Sequence, residues 1–116
     1  MAARSSTRKA AAELIAAAPV FAALGDETRL RLVTRLSHDG PMSIARLAEG
    51  FDITRQAITK HLRVMEDAGL VRSEQLGRET VWQLEQKRLA GARRHLQTIS
   101  AHWDQTLGRL KSFVER

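Results

Sequence analysis

The chain has 116 residues, of which 43% are hydrophobic and 28% are charged, a composition typical of one ordinary globular domain. The absence of cysteine excludes disulfides, thiolate zinc sites and thiol redox switches. Lysine and arginine outnumber aspartate and glutamate by 19 to 13, and the formal charge of +6 favours a polyanionic partner, although solubility alone would also account for it.

The N-terminal region is predicted to be a flexible tail over residues 1–6, followed by a helix from about Thr7 to Ala18. Pro19 either interrupts this helix or opens a new turn, and the sequence does not decide between the two. Glu13 and Pro19 break the alanine-rich run, so it resembles neither a signal sequence nor a membrane span. We therefore expect a cytoplasmic protein.

A second helix is predicted to begin after Asp26, whose carboxylate can cap the free amides of the first turn. Its apolar row is expected to consist of Leu30, Val33 and Leu36. The segment Gly40-Pro41 then ends the helix.

Residues 43–69 have the pattern of a helix-turn-helix. Ser43 can cap a short helix over about residues 44–49, and a glycine-containing turn follows at residues 50–52. Thr54 can cap a longer helix over residues 54–68, and Gly69 is the residue type that most easily ends one.

The helix over residues 54–68 has two different faces. Ile58, Leu62 and Met65 lie within about 40° of one another on a helical wheel and form an apolar stripe. The opposite side carries amide, hydroxyl and cationic groups. A helix that only closes a core has no need of such a row, whereas one that enters a DNA major groove meets base edges that accept hydrogen bonds.

The predicted DNA contacts differ in kind. Gln56 is expected to read a base edge, most naturally adenine, while Thr59 could touch a base, a thymine methyl or a phosphate. Lys60 and Arg63 could reach either guanine or the backbone, and Arg55 is expected to bind phosphate. With the amide of the helix start and a wing arginine added, the predicted DNA-binding residues are Thr54, Arg55, Gln56, Thr59, Lys60, Arg63 and Arg78. His61 lies on the flank and is either a half-buried structural residue or a phosphate donor.

After Gly69 the pattern predicts a two-stranded hairpin over residues 70–84, with strands at 70–75 and 80–84. A hairpin alone is barely stable, so Leu70, Trp82 and Leu84 should pack against the helices. Arg78 at its tip either enters a minor groove, holds a phosphate or is simply solvated. This hairpin is the wing of a winged helix-turn-helix.

A long C-terminal helix is predicted over residues 85–114, with apolar residues every three or four positions. Its stripe is too long for a small domain to cover, so part of it should contact a second subunit. The expected fold is therefore a single domain over residues 7–116 that is mainly α with a small β-hairpin (α+β), built from about five helices and a two-stranded wing.

Two segments resemble the ArsR/SmtB family of bacterial repressors. These are residues 21–33, around Leu24-Gly25-Asp26, and residues 53–71, which hold the polar helix and the entry to the wing. The resemblance implies a homodimer whose first and last helices form the interface, with negative control of a small operon. The dimer interface is then expected to include Leu14, Leu89, Leu96, Ile99, Trp103, Leu110 and Phe113.

No metal or other cofactor is predicted. Metal-sensing members of the family carry a Cys-x-Cys pair where this chain has Ser43 and Ala45, and neither can ligate a soft metal. The histidines of the last helix, His95 and His102, are about two turns apart, too far for one ion unless a second subunit contributes. Whether they and Asp104 bind a metal across a dimer stays open.

The sequence favours a sequence-specific DNA-binding regulator, a homodimeric repressor of an inverted-repeat operator. It leaves two alternatives: a sequence-indifferent architectural DNA binder and a winged-helix module that binds another protein. No nucleophile has an activating context and no phosphate-cradling glycine loop is present, so an enzyme is not expected. A small-molecule effector is allowed but not identified.

Overall fold

A computed structural model describes residues 2–115, with the side chains of residues 7–115. The main-chain class is as predicted, mainly α with a small antiparallel sheet, but six helices replace about five and three strands replace two. The elements are α1 Ala2–Ala16, α2 Ala18–Leu24, α3 Glu27–Asp39, β1 Met42–Ser43, α4 Ile44–Ala48, α5 Arg55–Asp67, β2 Val71–Leu76, β3 Glu79–Leu84 and α6 Gln86–Val114.

The first two helices differ from the prediction at both ends. Helix α1 begins at Ala2, so residues 2–6 are helical where a loose tail was expected, and Met1 lies outside the described residues. Alanine and arginine propensity is sufficient to extend the helix through this stretch. The open question at Pro19 is also answered, because the chain breaks at Ala17 and Pro19 lies in the first turn of α2, where a missing N–H removes no hydrogen bond.

Helix α3 begins as predicted but buries a different row. The Asp26 carboxylate accepts the Arg29 N–H at 3.0 Å. Leu32 and Leu36 are buried, whereas Leu30 is 48% exposed, so the predicted row was wrong at Leu30. Steps of three residues drift by about 60° around a helix, whereas residues four apart differ by about 40°. Leu32 and Leu36 therefore share a face that Leu30 does not.

The helix-turn-helix is confirmed in its local chemistry. The Ser43 and Thr54 hydroxyls accept the N–H groups of Arg46 and Ala57, which caps α4 and α5. Ile58, Leu62 and Met65 are completely buried, and Gly69 takes a φ of +79° just after α5 ends. Helix α5 is therefore held by its apolar stripe at the centre of the core.

The sheet has the strand order β1-β3-β2, with every neighbouring pair antiparallel. Its hairpin turns at Gly77-Arg78, where Gly77 has a φ of +63°, the arrangement that a type II′ turn requires at its first central residue. The extra strand β1 pairs Met42 with Trp82. Two residues show no alternation, so this strand could not be predicted. The buried Leu70 and Trp82 and the partly buried Leu84 anchor the wing as expected.

Helix α6 runs unbroken for 29 residues, although Gly91 and Gly108 lie inside it. Of its side chains only Ala92 is fully buried, while Leu89 packs partly against the core. The rest of the helix projects from the body of a molecule that measures 65 × 32 × 20 Å. The large apolar side chains beyond Ala92, from Leu96 to Val114, thus remain exposed within one chain.

Two substitutions of the same kind test which leucines of α3 are buried. Leu32→Ala should lower the free energy of unfolding by about 2–5 kcal/mol, because it leaves a cavity in the core. Leu30→Ala removes the same atoms from an exposed position and should change it by less than about 1 kcal/mol. Urea unfolding at one fixed protein concentration measures both. A larger loss for Leu30→Ala would contradict the observed facing of α3.

Candidate nucleic-acid interface

The face of α5 opposite its buried stripe is open to solvent. Arg55, Gln56, Lys60 and Arg63 are exposed, and Thr59 is half-buried beside them. Within the described residues, the side chains of Gln56 and Lys60 form no hydrogen bond or ion pair, so their donors are free to engage a ligand. The burial of one side of the helix leaves the other side directed outward.

The two threonines of the predicted contact set already use their hydroxyls locally. Thr54 accepts from the Ala57 N–H at 3.1 Å, which fixes the start of α5. The Thr59 hydroxyl donates to the Arg55 carbonyl at 2.9 Å. The Thr59 hydrogen is therefore engaged, which leaves its methyl group and a lone pair for an incoming ligand.

Arg63 is tied to the protein rather than free. Its guanidinium donates to the Glu66 carboxylate at 3.2 Å and lies 5.7 Å from the centre of the Trp82 ring. Glu66 also accepts the Ser73 hydroxyl at 2.9 Å. This network joins α5 to the strands of the wing, so Arg63 helps to set the angle between them. The role of Glu66 was not predicted from the sequence, although an arginine and a glutamate three residues apart on a helix can form an ion pair.

His61 faces the protein, which answers the question that the sequence left open. Its Nδ1 lies 3.8 Å from the Asp26 carboxylate and 3.3 Å from the Arg29 guanidinium. Arg29 in turn donates through Nε to the Ala23 carbonyl at 2.6 Å. His61 is thus a half-buried residue that joins α5 to the start of α3.

Two arginines of α3 that the sequence did not assign hold the turn of the helix-turn-helix. Arg35 donates to the Leu47 carbonyl at 3.1 Å and to the Glu49 carbonyl. Arg31 donates to the Gly50 carbonyl at 3.4 Å and its guanidinium lies 4.5 Å from the centre of the Phe51 ring. Their spacing of four residues, one helical turn, was the available signal that both face the same neighbour.

The wing presents a basic tip. Arg78 occupies the second central position of the turn and is exposed. Its side chain forms no hydrogen bond or ion pair within the described part of the chain. Arg72 lies farther down the wing and pairs with Glu85 at 3.0 Å, which joins β2 to the residue before α6. Arg78 is therefore the free cation of the wing, while Arg72 is structural.

Comparison with known proteins agrees with this geometry. A protein-family model described as a helix-turn-helix domain matches residues 24–74. The HTH-type transcriptional regulator Rv2034 of Mycobacterium tuberculosis is 39% identical over 74 residues, which cover 64% of this chain and 68% of that protein. An ArsR-like transcriptional regulator from Rhodococcus sp. RHA1 is 38% identical, with a TM-score of 0.72 over 86% of this chain and 93% of that structure.

The chain belongs to the ArsR family of transcriptional regulators. It is accordingly a DNA-binding transcriptional regulator, and its family is one of regulators rather than of enzymes. A solution structure described as the homodimeric winged helix-turn-helix DNA-binding domain Mb0332 from Mycobacterium bovis is 21% identical, with a TM-score of 0.61 over 84% of this chain and 86% of that one. At this identity the likeness shows the fold alone. No helix within residues 2–115 is long and apolar enough to cross a membrane.

The helices that the ArsR resemblance assigns to a dimer interface meet in an apolar groove. The groove has a volume of about 850 Å³ and lies between α1 and α6, where Leu14, Ile99 and Trp103 line it. Five of the predicted interface residues are exposed by 46–73% and two are not. Leu96, Ile99, Trp103, Leu110 and Phe113 are the exposed ones. Leu14 is half-buried, and Leu89 contributes partly to the core.

The residues considered as metal ligands in the sequence do not lie together in the structure. Ser43 uses its hydroxyl to cap α4, and Ala45 has no donor atom. Across residues 2–115 of one chain, no three His, Cys, Asp or Glu side chains lie together in a way that could hold a metal ion. His95, His102 and Asp104 are therefore not assembled into a site within a single subunit.

The Asp26 carboxylate that caps α3 should affect how the stability of the protein falls at acidic pH. The N–H of Arg29 donated to its carboxylate lowers the pKa of Asp26 below its usual value of 3.8. Stabilisation by a carboxylate with a lowered pKa is complete above the unfolded value and is lost as the pH falls through the folded value. Asp26→Asn keeps a good cap but cannot titrate. Its unfolding midpoint should fall less steeply below about pH 4 than that of the natural chain.

Thermal unfolding followed by circular dichroism between pH 5 and pH 2.5 makes the comparison. Identical profiles for the natural chain and Asp26→Asn would show that the capping carboxylate has no part in the acid transition.

Proposed function

We propose that this ArsR-family chain acts as a homodimer that binds an inverted-repeat operator in the cytoplasm and represses transcription there. The observation that carries the proposal is the outward face of α5, where the side chains of Arg55, Gln56 and Lys60 have no partner among the described residues, opposite a completely buried stripe. Repression is the mode of control that the resemblance to the ArsR/SmtB repressors implies.

In the proposed complex α5 enters the major groove. Gln56 reads a base edge, since its amide can both donate to and accept from adenine. Lys60 binds guanine or the backbone, while Arg55 and the amides at the start of α5, at the positive helix end, bind phosphate. Arg63 has to share its guanidinium with Glu66, so we assign it a positioning role with at most one DNA contact. Arg78 at the wing tip reaches the adjacent minor groove or its backbone.

The proposed dimer uses the exposed stripe of α6 and the groove that α6 forms with α1. A row of large apolar side chains exposed along one helix is uncommon on a monomeric protein and marks a protein contact. A second copy supplies the same row, and a twofold axis makes the surface complementary to itself. The two α5 helices would then lie about 34 Å apart, one turn of B-DNA, which requires an inverted repeat.

Selection of bound duplexes from a random pool at fixed salt tests the proposed function. We expect an inverted repeat with half-sites centred about 10 base pairs apart. Enrichment of no sequence, together with steep salt dependence on every duplex, would support a sequence-indifferent architectural binder and overturn the operator claim. Absence of DNA binding altogether would favour the protein-interaction module.

Two substitutions on α5 should separate base reading from phosphate binding. Gln56→Ala should relax the base preference at one position of each half-site, a loss of about 1–3 kcal/mol of discrimination. Lys60→Ala should weaken binding to all duplexes alike and reduce the slope of log affinity against log salt by about 1 for each chain, if Lys60 holds a phosphate. Fluorescence anisotropy at several salt concentrations measures both. An unchanged preference and affinity in Gln56→Ala would remove that residue from the interface.

The dimer is tested by charge placed on the stripe. Trp103→Glu with Leu110→Glu introduces two carboxylates into the proposed interface and should give a monomer at micromolar concentration. Gln97→Glu with Gln105→Glu adds two carboxylates to the side of the same helix that faces away from the stripe, and should leave the dimer intact. Light scattering gives the mass of each variant. A monomeric natural chain, or a dimer that survives the double substitution, would contradict the proposed interface.

A further inference from the structure

A second cavity lies where the break between α1 and α2 faces the first half of α6. Its volume is about 630 Å³, which falls within the range of small-molecule binding sites. It belongs neither to the α5 face nor to the wing. The cavity is lined by Glu13, Ala16, Ala17, Val20, Lys87, Arg88, Gly91, Ala92, Arg94, His95 and Thr98.

The charged side chains of this cavity are unbalanced. Lys87, Arg88 and Arg94 supply three permanent cations, while Glu13 is the one carboxylate in the lining. Within the described residues, none of these four side chains forms a hydrogen bond or an ion pair, and His95 lies half-buried beside them. Cations held near one another without partners attract a carboxylate or a phosphate, for which the arginine guanidinium is geometrically suited.

The remaining wall is apolar and built from small residues. Ala16 and Ala17 line it at the break between the first two helices. Gly91 has no side chain, and the Arg94 guanidinium lies 3.6 Å from the position that a Cβ there would take. Val20 and Ala92 belong to the buried core, so this wall is part of the packed interior. An inorganic ion would contact the cations alone, whereas a ligand with a compact ring or a short aliphatic body would also contact the apolar wall.

We propose that this cavity binds a small organic anion, a carboxylate or phosphate ester with a compact apolar body. The charged end pairs with Arg88 and Arg94, and the apolar body lies against Ala17, Val20 and Ala92.

The cavity is physically joined to the end of the DNA-facing helix. The Arg88 side chain packs on Gly69, so closely that a Cβ at Gly69 would lie 3.0 Å from its Nε. The Glu85 N–H donates to the Leu70 carbonyl at 2.8 Å in the same place. A ligand that engages the Arg88 guanidinium therefore acts beside the residue that ends α5. Control of DNA affinity by this route rests on the proposed function, whereas ligand binding itself does not.

Calorimetry on the full chain without DNA, at fixed ionic strength, tests the site with four probes. Phenyl phosphate and benzoate carry both the charge and the ring, inorganic phosphate carries the charge alone, and benzyl alcohol carries the ring alone. We expect saturable binding of phenyl phosphate or benzoate with one site per chain, at least tenfold weaker binding of inorganic phosphate, and no binding of benzyl alcohol. Failure of both ring anions to bind would overturn the proposal.

Substitutions locate the binding. The double variant Arg88→Gln with Arg94→Gln should weaken binding of the ring anion at least tenfold. The control variant Arg93→Gln with Arg109→Gln removes the same two charges from exposed positions outside the cavity lining and should bind like the natural chain. Equal losses in the control and in the Arg88 and Arg94 variant would reduce the effect to net charge and overturn the site.

A third outcome distinguishes a DNA contact from a ligand site. If the double variant binds the ring anions normally but loses affinity for every duplex, the basic cluster is a phosphate-contact surface and the proposal is wrong. A failure of the proposed operator binding would leave the calorimetric result standing, since that measurement contains no DNA.

Discussion

The orientation of helix α5 depends on the burial of one apolar stripe. Ile58, Leu62 and Met65 are completely buried, and this burial fixes the rotation of the helix about its own axis. Once the stripe is buried, the residues about half a turn away must face solvent. The exposure of Gln56 and Lys60 is thus a consequence of core packing, and a change that rotated α5 would disturb the core and the interface together.

The polar side chains of α3, α5 and the wing divide into two groups with different roles. Arg29, Arg31 and Arg35 turn toward the protein, where they donate to backbone carbonyls of α2 and of the helix-turn-helix and contact the ring of His61 or Phe51. Gln56, Lys60 and Arg78 have no partner among the described residues and face outward. A formal charge of +6 does not distinguish these groups. Only the packing shows that α3 positions α5 while the outer face of α5 stays available.

Much of the fold could be predicted because its signals are local. The caps at Asp26 and Thr54, the stripe of α5 and the glycine after it each follow from neighbouring residues, and each was confirmed. The errors at β1 and α3 occurred where contacts between distant residues decide the structure. Strand β1 exists because Met42 pairs with Trp82, and the facing of α3 follows from what it packs against.

The candidate site shows the same division. Its outward row was visible from helical spacing, but the pairing of Arg63 with Glu66 depends on two residues that spacing alone does not distinguish from a solvated pair. The link between His61 and Asp26 spans two helices and has no local signature. The cavity at the break in the N-terminal helices also has none, since its lining comes from two distant segments.

The most direct test of the central claim is a hydroxyl-radical footprint of the natural chain on a bound duplex, combined with the stoichiometry of the complex. Two copies of the α5 face, related by a twofold axis, predict two chains per duplex and two protected regions on one side of the DNA, about 10 base pairs apart. A single protected region bound by one chain, or protection spread evenly along the duplex, would contradict it.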